Sequence, residues 1–62
     1  MSKAIKDAGF TRSASRPRFE HSDGRTVRRD PRGGWQAFNA DGSTAGARKS
    51  GLTEAFSAAW GL

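Results

Sequence analysis

The sequence predicts an α+β fold: a short three-stranded antiparallel meander with a C-terminal helix packed on one face, and room for a short N-terminal helix. Three observations carry this. Asp23-Gly24 and Asp41-Gly42 punctuate short runs of alternating polar and apolar residues, the pattern of hairpins. Leu52, Phe56, Ala59 and Trp60 recur at i, i+4, i+7 and i+8, one stripe of a helix. A chain of 62 residues has material for one thin core, and without cysteine no disulfide reinforces it.

The elements follow in order. Residues 1–16 read as a flexible basic arm, with a two-turn helix over Lys3–Ala8 that Ser2 caps and Gly9 stops. A helix this short forms only by docking, which would tuck Ile5 and Phe10 against the rest. Thr11–Arg16 is rich in Ser and Arg without periodicity and reads as a connector. Residues 17–62 make the βββα domain. Arg18–His21 and Arg25–Arg29 are the first two strands, joined through Ser22-Asp23-Gly24. Asp30–Gly34 is a turn cluster, because Pro31 cannot continue a central strand. Trp35–Ala40 is the third strand. Ser43–Lys49 has little to bury and reads as a weak fourth strand or a loop. The helix takes Ser50 or Thr53 as its N-cap, Glu54 at its positive end and Gly61 as its stop. The core expected from this layout is Phe19, Val27, one face of the third strand, Leu52, Phe56 and Trp60. So small a core is compatible with a monomer or with a homodimer that hides further apolar surface.

Composition excludes many functions. Without cysteine there are no thiolate metal sites or thiol nucleophiles, and a single histidine, His21, removes paired-histidine sites. No cofactor is expected. No apolar run approaches the ~18 residues of a membrane span, and the first residues lack the apolar stretch of a signal peptide. The chain reads as a complete cytosolic protein with no membrane partner. Asp23, Asp30 and Asp41 are turn residues, and Glu20 and Glu54 lie on separate elements. Acid–base chemistry therefore has only His21, beside a turn, and no partner for it.

Charge is the informative feature. The net charge is +5, and residues 11–32 hold seven arginines against Glu20, Asp23 and Asp30. Arginine suits bidentate contacts to phosphate and guanine. Strand alternation places Arg18, Glu20, Thr26 and Arg28 opposite Phe19 and Val27. On the third strand Trp35 and Ala37 share one face, and Gln36 and Phe38 the other. With Trp35 inside, the outer face reads Arg18, Thr26, Arg28, Gln36 and Phe38; with Phe38 inside, Trp35 is exposed beside Arg29 and Arg32. The alternation leaves both open. Arg12 and Arg16 on the arm would add phosphate or minor-groove contacts.

The run Val27-Arg28-Arg29, Gly34-Trp35-Gln36-Ala37, Asp41-Gly42, Gly51-Leu52-Thr53-Glu54-Ala55 and Trp60 resembles the three-strand-plus-helix DNA-binding domains. These are the arm-binding domains of tyrosine integrases and the plant ethylene-response type. The resemblance covers roughly residues 25–60. It implies a sheet lying in the major groove, with contacts from Arg28, Arg29, Arg32 and Trp35 or Gln36. The chain departs from the pattern in Ser43–Lys49, which lacks the hydrophobic residue expected on the strand before the helix. A second resemblance, of Ile5–Phe10 and Phe19–Val27, is to HicA-like mRNA-interferase toxins. Their histidine falls where this chain has Ser15-Arg16-Pro17, so their ribonuclease activity is not implied.

Together these observations imply a small non-enzymatic nucleic-acid-binding accessory protein of bacterial, phage or plasmid origin, with duplex DNA favoured over RNA. The expected contacts are Arg12, Arg16, Arg18 and Arg32 to phosphate and Arg28 or Gln36 to base edges, with Arg29 and Trp35 beside them. The alternative is an inhibitor or interaction module that docks on an acidic surface of a host protein.

Overall fold

In a computed structural model that describes residues 3–62, seven elements follow one another: α1 (Lys3–Asp7), β1 (Phe10–Arg12), β2 (Arg18–His21), β3 (Thr26–Arg29), β4 (Trp35–Phe38), β5 (Thr44–Lys49) and α2 (Leu52–Trp60). The sheet is five-stranded, entirely antiparallel, and its spatial order is the chain order β1-β2-β3-β4-β5. This corrects the three-stranded meander expected from the sequence. Phe10–Arg12, placed there within an arm and its connector, pairs with β2, setting Phe10 opposite His21 and Arg12 opposite Phe19. Thr44–Lys49 pairs with β4 and closes the other edge. The α1 helix forms where expected; Ser2, the expected cap, lies outside the described residues.

Three hairpins share one design. In each, the first residue donates its N–H to the carbonyl four residues on and accepts from the N–H three residues on. The pairs are His21 with Arg25 and Gly24, Asp30 with Gly34 and Gly33, and Asn39 with Ser43 and Gly42. These are three-residue loops whose last residue must turn into the left-handed region, which explains why each ends in glycine. Aspartates lock them: Asp23 accepts the Arg25 N–H, Asp30 the Arg32 N–H and Asp41 the Ser43 N–H.

The core lies between one sheet face and the two helices. Ile5, Phe10, Phe19, Val27, Ala37, Ala45, Ala55 and Phe56 are buried. Phe56 meets Phe10 and Phe19 edge-on, with ring centroids 4.9 and 5.8 Å apart, and Trp60 stacks on Phe10 at 5.3 Å. Leu52, Trp60 and Trp35 pack against this cluster half-buried. The α2 helix ends as expected, with Gly61 in the left-handed region donating to the Ser57 carbonyl. Its N-cap is Gly51, without a side-chain cap, rather than Ser50 or Thr53.

The missing hydrophobic residue of the β5 segment has a physical reason. Two residues of β4, Trp35 and Ala37, span four steps of β5, from Lys49 to Ala45, so β5 bulges. At the bulge Gly46 has φ +69°, and a Cβ there would stand 2.7 Å from the Ala58 carbonyl. The helix backbone lies directly on the strand, and bulk would push it off.

Candidate nucleic-acid interface

Topology sorts the charges. The 13–17 loop, the 30–34 turn and the β5–α2 connection at Ser50-Gly51 all fall at one end of the sheet, because β1, β3 and β5 run toward it and β2, β4 and α2 away. At that end stand eight of the eleven cationic side chains of the chain: Arg12, Arg16, Arg18, Arg28, Arg29, Arg32, Arg48 and Lys49. Its acids are Asp30, bound to Arg32, and Glu54 in the first turn of α2.

The two sheet faces are resolved by the packing. Phe19 and Val27 are buried, and Trp35 lies edge-on to Phe19 at 6.3 Å, so Trp35 is on the helix side. Arg18, Glu20, Thr26, Arg28 and Phe38 therefore share the open face. On it, Arg18 sits directly opposite Arg28 in the β2–β3 register. Like charges so placed destabilise a sheet. Among the described residues neither makes an ion pair, and the Nε of Arg18 is shielded from water without a hydrogen-bond partner. Arg28 lays its guanidinium over the Phe38 ring, 4.2 Å from the centroid, and Arg29 covers Trp35 at 5.5 Å on the other face. Two hollows open here. One, inside the β1–β2 loop, is lined by Arg12–Pro17; the other lies between Arg16, Pro17, Arg18, Arg28 and Arg29.

No protein-family model, curated protein or solved structure matches this chain.

The remaining expected contacts are distributed as follows. Arg12 and Arg16 are exposed, Arg12 at the end of β1 and Arg16 in the loop. Arg32 is exposed but clamps Asp30, its Nε 3.0 Å and Nη2 3.1 Å from the carboxylate oxygens. Those hydrogen bonds, with the Arg32 N–H, hold the Asp30 carboxyl down at about 2. Trp35 is half-buried and largely structural. Gln36 belongs to the open face by alternation, yet it is buried. Its Nε2 donates to the Ala37 and Gly46 carbonyls at 2.9 and 3.1 Å, filling the bulge of β5. That amide is committed to the backbone. Arg48 and Lys49 were not singled out by the sequence reading. Lys49 is opposite Trp35, and Arg48 donates from Nη1 to the Gly33 carbonyl at 2.9 Å. Their membership required knowing that β5 is a strand.

His21 sits at the opposite end of the sheet. Its Nδ1 accepts the Asp23 N–H at 3.0 Å and its Nε2 faces the Ala8 carbonyl at 2.9 Å, so both ring nitrogens tie the end of α1 to the β2–β3 turn.

Proposed function

We propose that this chain is a small non-enzymatic nucleic-acid-binding protein, of bacterial, phage or plasmid origin, that holds duplex DNA with its basic sheet end and the adjoining open face. The observation that carries the reading is the Arg18–Arg28 cross-strand pair, two arginines directly opposed in the register of the open face, neither in an ion pair among the described residues. Such a pair is relieved by a polyanion that supplies negative charge to both. The aromatic neighbours favour a duplex over a single strand. Phe38 and Trp35 are half-buried and each has a guanidinium over it, so the surface offers charge rather than free rings for base stacking. Arg12, Arg16, Arg18, Arg29 and Lys49 supply phosphate contacts, and Arg28, exposed on the central strand with its guanidinium over Phe38, is the residue nearest the middle of the open face. No described helix is long and apolar enough to cross a membrane, and a cytoplasmic location goes with the reading.

Fluorescence anisotropy with duplex DNA and hairpin RNA of matched length, at two salt concentrations, tests it. Binding should weaken steeply with salt, each neutralised phosphate adding about 0.9 to the log–log slope. It should be lost in Arg28→Ala/Arg29→Ala. Weak binding to both ligands, indifferent to that variant, would instead assign the arginines to an acidic protein partner.

A further inference from the structure

The geometry points to Arg32 as a reader of guanine in the major groove, held for that task by Asp30 in the β3–β4 turn. This rests on the nucleic-acid reading above and deepens it by naming the base. The sequence places Arg32 among the phosphate contacts; its pairing with Asp30 suits it to a different acceptor.

Charge separates the two roles. One oxygen of the Asp30 carboxylate takes the Arg32 Nε–H at 3.0 Å, and the other takes an Nη2–H at 3.1 Å. Asp30, held at about 2, is ionised at neutral pH, so the pair carries no net charge. A neutral pair contributes little to counterion release, the term that dominates binding to phosphates. It still has donors to give. A guanidinium carries five N–H groups, and Asp30 occupies the two on the Nε side. An Nη1–H and an Nη2–H remain side by side on the outer edge. They match the O6 and N7 acceptors of guanine, the one base that offers two acceptors together in the major groove.

Arg32 also stands where a base can meet it. Its side chain is 72% exposed and that of Asp30 only 10%, so the acid is covered and the arginine is presented. The turn is open beside it: a Cβ on Gly33 would find nothing within 4 Å. The turn is also fixed. Asp30 exchanges backbone hydrogen bonds with Gly33 and Gly34, its carboxylate takes the Arg32 N–H at 2.8 Å, and Arg48 donates to the Gly33 carbonyl at 2.9 Å. A side chain ordered in advance loses less freedom on binding. Below the turn, Arg28 and Arg29 lie on opposite faces of β3, over Phe38 and Trp35, neither in an ion pair among the described residues. A cation on each side suits the two phosphate backbones that bound a groove, with Arg32 directed at the base edges between them.

Three duplexes of one mixed sequence test this on the full chain: one with guanine, one with 7-deazaguanine, which lacks N7, and one with inosine, which keeps O6 and N7. Wild type should bind the 7-deazaguanine duplex about five- to ten-fold more weakly than the guanine duplex and the inosine duplex within about two-fold. Equal binding to guanine and 7-deazaguanine, or a loss as large with inosine, overturns the assignment while leaving duplex binding intact. No binding to any of the three overturns the nucleic-acid reading and this one with it. Asp30→Asn/Arg32→Ala keeps the net charge and an acceptor for the backbone N–H of residue 32. It should bind guanine and 7-deazaguanine duplexes alike, with the wild-type salt slope; discrimination that persists overturns the role of Arg32. Asp30→Asn alone adds one net positive charge. It should bind the guanine duplex at least as tightly as wild type while its discrimination falls to about two-fold, the mark of a positioning residue; full discrimination in this variant overturns the part given to Asp30. Should either variant fail to fold, the three-duplex comparison on wild type decides alone.

Discussion

The two ends of the sheet are closed by the same hairpin and finished with opposite chemistry. At the His21 end, Asp23 takes the Nε of Arg25 at 2.7 Å, Asp41 takes the Ser43 hydroxyl, and His21 uses both ring nitrogens. Arg25 also lies over Phe10 and Trp60, 5.1 and 5.0 Å from their centroids, and so covers the edge of the core. At the 30–34 end, one acid answers one arginine, and the other cations stand without ion pairs among the described residues. The backbone solution is shared, so the difference lies in what the loops carry. A polar network with every member satisfied specifies the fold. One left cationic by composition adds no stability and is available to a ligand.

That contrast can be broken or sharpened. Phe56→Ala removes the ring that both halves of the core share and should cost about 3–5 kcal/mol. A domain of this size holds about that much in total, so circular dichroism should show an unfolded chain and neither end should survive. Arg18→Ala/Arg28→Ala should lower duplex affinity by about ten- to a hundred-fold and leave the melting temperature nearly unchanged, because relief of the like-charge opposition offsets the lost contact of Arg28 with Phe38. A fall in melting temperature would mean that the pair is structural. Arg25→Gln is the mirror experiment: it should lose about 1 kcal/mol of stability with its two ring contacts and leave affinity as it was. The smallest effect is in acid. Asp30 is held at about 2, by its hydrogen bonds from Arg32, against an ordinary 3.8; Asp23 and Asp41 are lowered by bonds from Arg25 and from Ser43. The unfolded chain therefore takes up these protons first. Their contribution is complete above about pH 4 and fades as pH falls toward 2. The urea midpoint should decline across that range, less steeply in Asp30→Asn.

The middle of the fold was legible in the residues. The Asp-Gly turns, the Pro31 break and the stripe ending at Trp60 and Gly61 fixed β2, β3, β4 and α2, and Ile5 with Gly9 marked α1. The edges were not. β1 is three residues long, too short for alternation to register. β5 is built from Thr, Ala, Gly and Arg because a helix backbone rests on it, so the hydrophobic signal of a strand is absent where the packing is closest. The same bulge explains Gln36: alternation placed it on the open face, and Gly46 drew its amide inward. For the site, the outward aim of Arg18 and Arg28 followed from period two. Their opposition in register, and their grouping with Arg48 and Lys49, needed the strand pairing.

The chain-order sheet has a kinetic consequence. Every strand pairs with its sequence neighbour, and the most distant partners join the C-terminal helix to the first half of the chain: Phe56 against Phe10 and Phe19, and Trp60 against Phe10 and Arg25. Loops of a few residues close quickly, and topologies dominated by such closures fold on the order of milliseconds or faster. The hairpin that opposes Arg18 and Arg28 can zip before the termini meet. The last event is then the docking of the two chain ends across the core, and fraying begins there, beside Arg25 and at the end of the sheet away from Arg18 and Arg28.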